Sequence, residues 1–311
     1  MIKEDKRLIT KIRELKKKRK AIILAHNYQL PEVQDIADFR GDSLELSRIA
    51  AKTEAKVIVF CGVYFMAETA SILSPDKLVI MPDISAGCPM ADMMNADDLR
   101  KLKLQHPGAV AVGYVNTSAA VKAELDYCCT STNAVAVVNA ITKESAYGGE
   151  KEIIFVPDKY LADYVSKKSG RKLISWHGFC PTHVKILPED LKREKKFHPQ
   201  AKVMVHPECL PAVVALADVV LSTSQMAKYA KEDSAKEFII GTESGLIYRL
   251  KQDNPDKEFY LASERAVCPN MKRTTQEKVL WALEELKDEV RVSEEIRKKA
   301  RLAIERMLAI V

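Results

Sequence analysis

Short apolar runs alternate with amphipathic stretches along the whole chain, and the alternation comes round three times. The runs 21–25, 109–113 and 202–205 predict strands, and each ends abruptly in polar side chains: His26-Asn27-Tyr28, Tyr114-Val115-Asn116 and His206-Pro207-Glu208. Twelve residues beyond His26, Tyr114 and His206 stand Asp38, Asp126 and Asp218, and five further on stand Ser43, Ser131 and Thr223. Helical periodicity follows over 44–52, 133–141 and 225–231, then second strands over 57–61, 152–156 and 237–240. A further helical segment (66–73, 161–168, 246–252) and a third strand complete each copy. Strands alternating with helices predict an α/β protein made of three similar βαβ-type parallel-sheet domains, each sheet covered on both faces.

The copies are divided where His106-Pro107-Gly108 and His198-Pro199 interrupt the helical patterns 96–104 and 189–195. The expected domains are therefore 1–106 with an N-terminal helix, 107–198, and 199–311 with C-terminal helices. The first helix is expected to bury Leu8, Ile12 and Leu15 and to hold the basic run 16–20 in solvent. The last is expected to pack through Ile296, Ala300, Ala303, Ile304 and Met307.

Each copy closes on a Cys-Pro dipeptide. Cys88, Cys180 and Cys268 lie 92 and 88 residues apart, so an internal threefold repeat would bring them to one centre. No CxxC pair accompanies them, which argues against an ordinary closed zinc site. Three thiolates on an iron–sulfur cluster leave one iron open to act as a Lewis acid. Zinc bound by the same three cysteines and a histidine such as His183 is the alternative the residue types leave open. Cys61 and Cys209 read as core, and the vicinal pair Cys128-Cys129 is too close in sequence to bridge without strain.

In open parallel sheets, ligands bind beyond the carboxyl ends of the strands, which puts the polar triplets in place for chemistry. Ser43, Ser131 and Thr223 stand where helices begin; each is expected to cap its helix, and together they anticipate a small molecule with several carboxylates or phosphates. His26, Tyr28, Tyr114, His183, His206 and Glu208 are the candidates for proton transfer, with Asn116 as a neutral donor. His106, His177 and His198 read as structural. The absence of a GxGxxG, a Walker loop and a nucleophile elbow removes support from nucleotide-dependent and serine-hydrolase readings.

Composition narrows the setting. The net charge is +6, from 49 basic and 43 acidic residues mixed along the chain, which suits anionic small substrates and does not suggest nucleic acid. Seven cysteines, no basic leader before an apolar stretch and no apolar run near membrane-spanning length predict a reducing cytoplasm and no membrane.

The motifs AHNYQLPEVQDIADFRGDS, FMAET, GCPM, YVNTSA, CTSTNAV, CPTH, VHPEC, STSQM, GTESG and CPNMK, spread over nearly the whole chain, resemble those of the quinolinate synthase family. The resemblance implies three domains related by pseudo-threefold symmetry around one [4Fe-4S] cluster, held by Cys88, Cys180 and Cys268. It implies condensation of iminoaspartate with dihydroxyacetone phosphate to quinolinate, in NAD biosynthesis, with an aspartate oxidase or dehydrogenase as functional partner. By matching motifs, His26, Tyr28, Ser43, Tyr114, Asn116, Ser131, His183, His206 and Glu208 would line the site. Thr223 would add to the anion sites, and Met271 and Lys272 lie beside the third cysteine. Tyr28, Tyr114, His183 and Glu208 are the catalytic candidates. The Tyr147-Gly148-Gly149 insertion departs from the pattern without touching a ligand.

Overall fold

The computed structural model describes residues 6–143 and 151–310, so the Tyr147-Gly148-Gly149 insertion lies outside the described residues. Among the described residues, twelve strands run β1 Ala21–His26, β2 Phe39–Gly41, β3 Val57–Cys61, β4 Leu78–Ile80, β5 Val110–Tyr114, β6 Tyr127–Cys129, β7 Ile153–Val156, β8 Leu173–Ser175, β9 Lys202–Val205, β10 Val219–Val220, β11 Glu237–Gly241 and β12 Glu258–Leu261. They form three four-stranded sheets ordered β2-β1-β3-β4, β6-β5-β7-β8 and β10-β9-β11-β12. Every pairing is parallel, and the order within each sheet is the same. The fold is α/β, as the alternation predicts. The central strands β3 and β7 are buried at every position, which is why they read as unbroken apolar runs.

The short edge strands β2, β6 and β10 are additions to the sequence reading. The matched aspartates hold them in place. Asp38, Asp126 and Asp218 each donate a backbone N–H to the first strand of their own sheet, at Ile23, Ala111 and Val203. Each carboxylate takes the N–H of that same strand residue, at 2.8, 2.8 and 2.7 Å. The aspartates are therefore backbone clamps, which explains their identical register without any part in the chemistry.

The chain divides into two compact units, Met1–Cys88 with Cys268–Ser293, and Pro89–Val267 with Glu294–Val311. The first unit contains the β1–β4 sheet. Its core joins Ile9 and Ile12 of the helix Lys6–Arg19, Ile23 and Val59 of the sheet, and Val279 and Leu283 of the helix Gln276–Glu285. Ile9, rather than Leu8 or Leu15, accompanies Ile12 as the buried stripe of the first helix, because Leu8 and Leu15 flank the core half-buried. The basic run is not wholly solvated either. Lys16 pairs with Asp38 at 2.6 Å, and Arg19 donates to the Leu283 and Glu284 carbonyls at the end of the helix Gln276–Glu285, where a cation complements unsatisfied acceptors.

The second unit contains the other two sheets, one core of which gathers Ile186, Leu191, Val203, Val205, Val213 and Ile239. The terminal helix Glu294–Ala309 buries Ala300, Ala303, Ile304 and Met307 as expected, but Ile296, in its first turn, is only half-buried, and Arg306 donates to the Asp126 carbonyl at 2.8 Å. Among the described residues no helix is long and apolar enough to cross a membrane.

Candidate active site

The three Cys-Pro dipeptides sit in one backbone setting repeated three times. Two residues before each cysteine, a carbonyl (Ala86, Gly178, Ala266) accepts an N–H from just beyond the third strand of its copy (Tyr64, Lys159, Ser244), at 2.8, 2.9 and 2.9 Å. Two residues after each, a carbonyl (Met90, Thr182, Asn270) accepts an N–H three residues on (Met93, Lys185, Arg273), at 3.2, 3.3 and 3.2 Å. Proline restricts the cysteine to an extended conformation between these pins. At Gly178 the approach is so close that a Cβ would lie 2.5 Å from the Pro157 carbonyl oxygen, so only glycine lets the loop reach Cys180 this way.

Burial sorts the seven cysteines. Cys88, Cys180 and Cys268 are half-buried, whereas Cys61, Cys128, Cys129 and Cys209 are fully enclosed. Burial pushes the Cys128 thiol up to about 12, with Lys122 opposing the shift, and it raises Cys61, Cys129 and Cys209 as well. Those four stay protonated near pH 7.

In the second unit the ends of β5, β9 and β11 bring a set of polar side chains together. Glu208, 3% exposed, is the hub. Tyr114 donates its hydroxyl to Glu208 Oε1, and His183 Nδ1 lies 2.9 Å from Oε2. On the other side of the ring, the Thr242 hydroxyl lies 2.9 Å from His183 Nε2. Burial opposes charge on Glu208, but the imidazoles of His183 and His206 and the hydrogen bonds from His183 and Tyr114 outweigh it, holding the carboxyl below its ordinary range.

His206 has a different role. Its ring stacks on that of His183 with centroids 4.6 Å apart, and its Nδ1 accepts the Glu208 backbone N–H at 3.4 Å. Nε2 then carries the proton and donates to Ser131 Oγ at 3.2 Å. Burial pushes the imidazole down to about 3, so it stays neutral near pH 7 and acts as a hydrogen-bonding strut. Beneath the hub, Asp158 caps the helix Lys159–Ser169 by accepting the N–H groups of Tyr160 and Leu161 at 2.8 Å each. Burial, then the charge of Glu208, raises its carboxyl well above the ordinary range.

The predicted caps are displaced by one residue. Asp42 caps the helix Ser43–Lys52, accepting from Leu44 and Glu45 at 3.0 Å each, and Ser222 caps Thr223–Glu232. A cap residue needs extended backbone, which Asp42 (ψ 179°) and Ser222 (ψ 168°) adopt. Ser43 and Thr223 are instead the first helical residues. Ser131 occupies the turn before Ala134–Lys143, where Asn133 Oδ1 accepts the Thr130 N–H. Thr132 Oγ1 donates to Ser222 Oγ at 2.8 Å, which sets these two helix starts side by side. Asn116 is half-buried in the loop after β5.

In the first unit, the end of β1 repeats the β9 turn: the Tyr28 N–H donates to His26 Nδ1 at 3.2 Å, and the two rings meet edge to face at 4.6 Å. Lys272 donates to the Tyr28 carbonyl, and Gln29 Nε2 approaches Met271 Sδ at 3.5 Å, so the residues after Cys268 brace this turn. His106 and His198 end their helices and His177 is exposed, consistent with structural roles. Sequence reading passed over Thr242 and Asp158. Both sit just past a strand end, at β11 and β7; Thr242 aligns with Gly62 and Pro157, but Asp158 has an acidic counterpart in Glu243, whose carboxylate likewise accepts the N–H two residues on, at 2.7 Å, a match that could have drawn attention to it.

Among the described residues, one group of three side chains offers a metal a compact donor set: Cys180, His183 and Glu208, with ligand atoms within 4.8 Å of one another. A sulfur, a nitrogen and an oxygen donor, with Tyr114 hydrogen-bonded to Glu208 and His183 beside it, can bind a metal and move protons.

The family model described as quinolinate synthetase A protein matches residues 10–309. A quinolinate synthase of Dehalococcoides mccartyi (strain CBDB1) is 58% identical over 301 residues, covering 97% of each chain. That of Thermodesulfovibrio yellowstonii is 56% identical over 306 residues, 98% of this chain and 99% of the relative. One from Methanosarcina barkeri is 54% identical over 303 residues, 97% of each. The chain belongs to the quinolinate synthetase A protein family.

Proposed function

We propose that this protein condenses iminoaspartate with dihydroxyacetone phosphate to quinolinate, releasing phosphate and two waters, for NAD biosynthesis. The observation that carries the reading is the Tyr114–Glu208–His183 chain beside Cys180, in a member of this family. The repeats 1–106, 107–198 and 199–311 are taken as homologous domains about a pseudo-threefold axis.

Cys88, Cys180 and Cys268 would hold a [4Fe-4S] cluster. The donor set fits: three half-buried thiols in one repeated backbone setting, with the other four enclosed and protonated. When bound, such a cluster supplies an open iron, a Lewis acid toward a substrate hydroxyl or carboxylate oxygen.

The protein's own groups do the rest. Glu208, held ionised beside the Tyr114 hydroxyl and His183, accepts a proton during isomerisation and dehydration, while the Tyr114 hydroxyl and His183 return protons to oxygen. Tyr28 is the corresponding phenol at the end of β1. Ser43, Ser131 and Thr223 offer hydroxyls and helix-start N–H groups to carboxylates and phosphate, and His26, Asn116 and His206 orient the substrate by hydrogen bonds. An aspartate oxidase or dehydrogenase in the cytoplasm would supply the short-lived imine.

Anaerobic purification with iron, sulfide and product analysis tests the reading. About four irons per chain and quinolinate formed from both substrates are expected. Turnover by protein that contains zinc and no iron would overturn it.

A further inference from the structure

Cys180, His183 and Glu208 lie within the single unit Pro89–Val267 with Glu294–Val311, so their mutual geometry depends on one compact body. His183 opens the turn His183–Lys185 that follows Cys180, and Glu208 comes from the turn after β9. Zinc bonds of about 2.0–2.3 Å to oxygen, nitrogen and sulfur set tetrahedral donors roughly 3.3–3.6 Å apart. Donors already within 4.8 Å have a little over an ångström to close at most, and the 2.9 Å between His183 Nδ1 and Glu208 Oε2 has to open by a few tenths as a metal replaces the proton.

Charge and outer contacts also suit zinc. One thiolate and one carboxylate neutralise a divalent ion, which matters where the His183 and Glu208 side chains are only 2% and 4% exposed. Tyr114 steadies the carboxylate through Oε1, the oxygen His183 does not face. With a metal on Nδ1 the ring proton sits on Nε2, where the Thr242 hydroxyl, 2.9 Å away, can accept it.

We propose that Cys180, His183 and Glu208 form a mononuclear zinc site in protein lacking the iron–sulfur cluster, and that zinc and cluster exclude each other because both need Cys180. The exclusion rests on the reading of Cys180 as a cluster ligand; the zinc site itself does not.

The experiment is zinc titration of anaerobically reduced, chelator-stripped full-length protein against a chromophoric chelator, with cobalt as a spectroscopic substitute. One zinc per chain is expected, and Cys180→Ser, His183→Gln and Glu208→Gln should each weaken it about a hundredfold or more, at or beyond the upper end of outer-shell losses. Cys88→Ser and Cys268→Ser should leave the affinity unchanged, and cobalt should show the charge-transfer intensity of one thiolate. No zinc binding by folded wild-type protein overturns the site; so does equal loss in all three cysteine variants, which would put zinc among the cysteines. Preloaded zinc should block iron and sulfide uptake until it is chelated, and joint occupancy overturns the exclusion. A Cys88→Ser protein that still assembled a full cluster would sink the cluster reading alone, leaving the zinc affinities to stand or fall by themselves.

Discussion

The Cys-Pro loops and the strand-end turns belong to the same three repeats, yet one set is held constant and the other is not. Around Cys88, Cys180 and Cys268 the flanking backbone hydrogen bonds agree in register and to within a tenth of an ångström. At the ends of β1, β5 and β9 the side chains read His-Asn-Tyr, Tyr-Val-Asn and His-Pro-Glu. Two of these turns share the bond from the third residue's N–H to the histidine Nδ1, but present a phenol in one case and a carboxylate in the other. A role that needs one equivalent ligand from each copy keeps the copies alike. A substrate without threefold symmetry makes them diverge, on a turn whose backbone need not change.

The sharpest break in this comparison is a cysteine substitution. Cys88→Ser, Cys180→Ser and Cys268→Ser should each abolish quinolinate formation and lower bound iron to the same extent; unequal iron loss would mean that the matched loops are not equivalent. Glu208→Gln comes next. Loss of the proton acceptor should cut kcat by about 10²–10⁴ with iron content and thermal unfolding retained. Turnover at the wild-type rate would remove Glu208 from the chemistry.

Smaller effects separate scaffold from chemistry. Asp218→Ala deletes the clamp on Val203 and should cost about 1–3 kcal/mol of stability by denaturant unfolding, while the folded fraction keeps its specific activity. Asp42→Ala should cost about 1 kcal/mol as a lost cap. Ser43→Ala should leave stability within a few tenths of that of the parent and act on KM instead. A stability loss at Ser43 equal to that at Asp42 would return the capping role to the serine.

The long elements and the repeat were legible because buried parallel strands and amphipathic helices carry their own periodicities. The edge strands β2, β6 and β10 were not, since two or three residues are too few to show a period. Most of the candidate residues could be named from strand-end position and matched register. Register misled in two ways. It put the caps on Ser43 and Thr223 when the neighbouring Asp42 and Ser222 have the extended backbone a cap requires. It also gave no sign of Thr242, whose importance comes from its contact with His183, a residue distant in sequence.

The aspartate clamps bear on how the chain comes to be folded. Each joins residues 15 apart, three times over, so each copy can close its first sheet edge without waiting for a distant segment. Short closures form quickly and cost little chain entropy, which lets assembly begin at three places independently as the polypeptide is made. The first unit, by contrast, is completed only when residues from 268 onward have been synthesised.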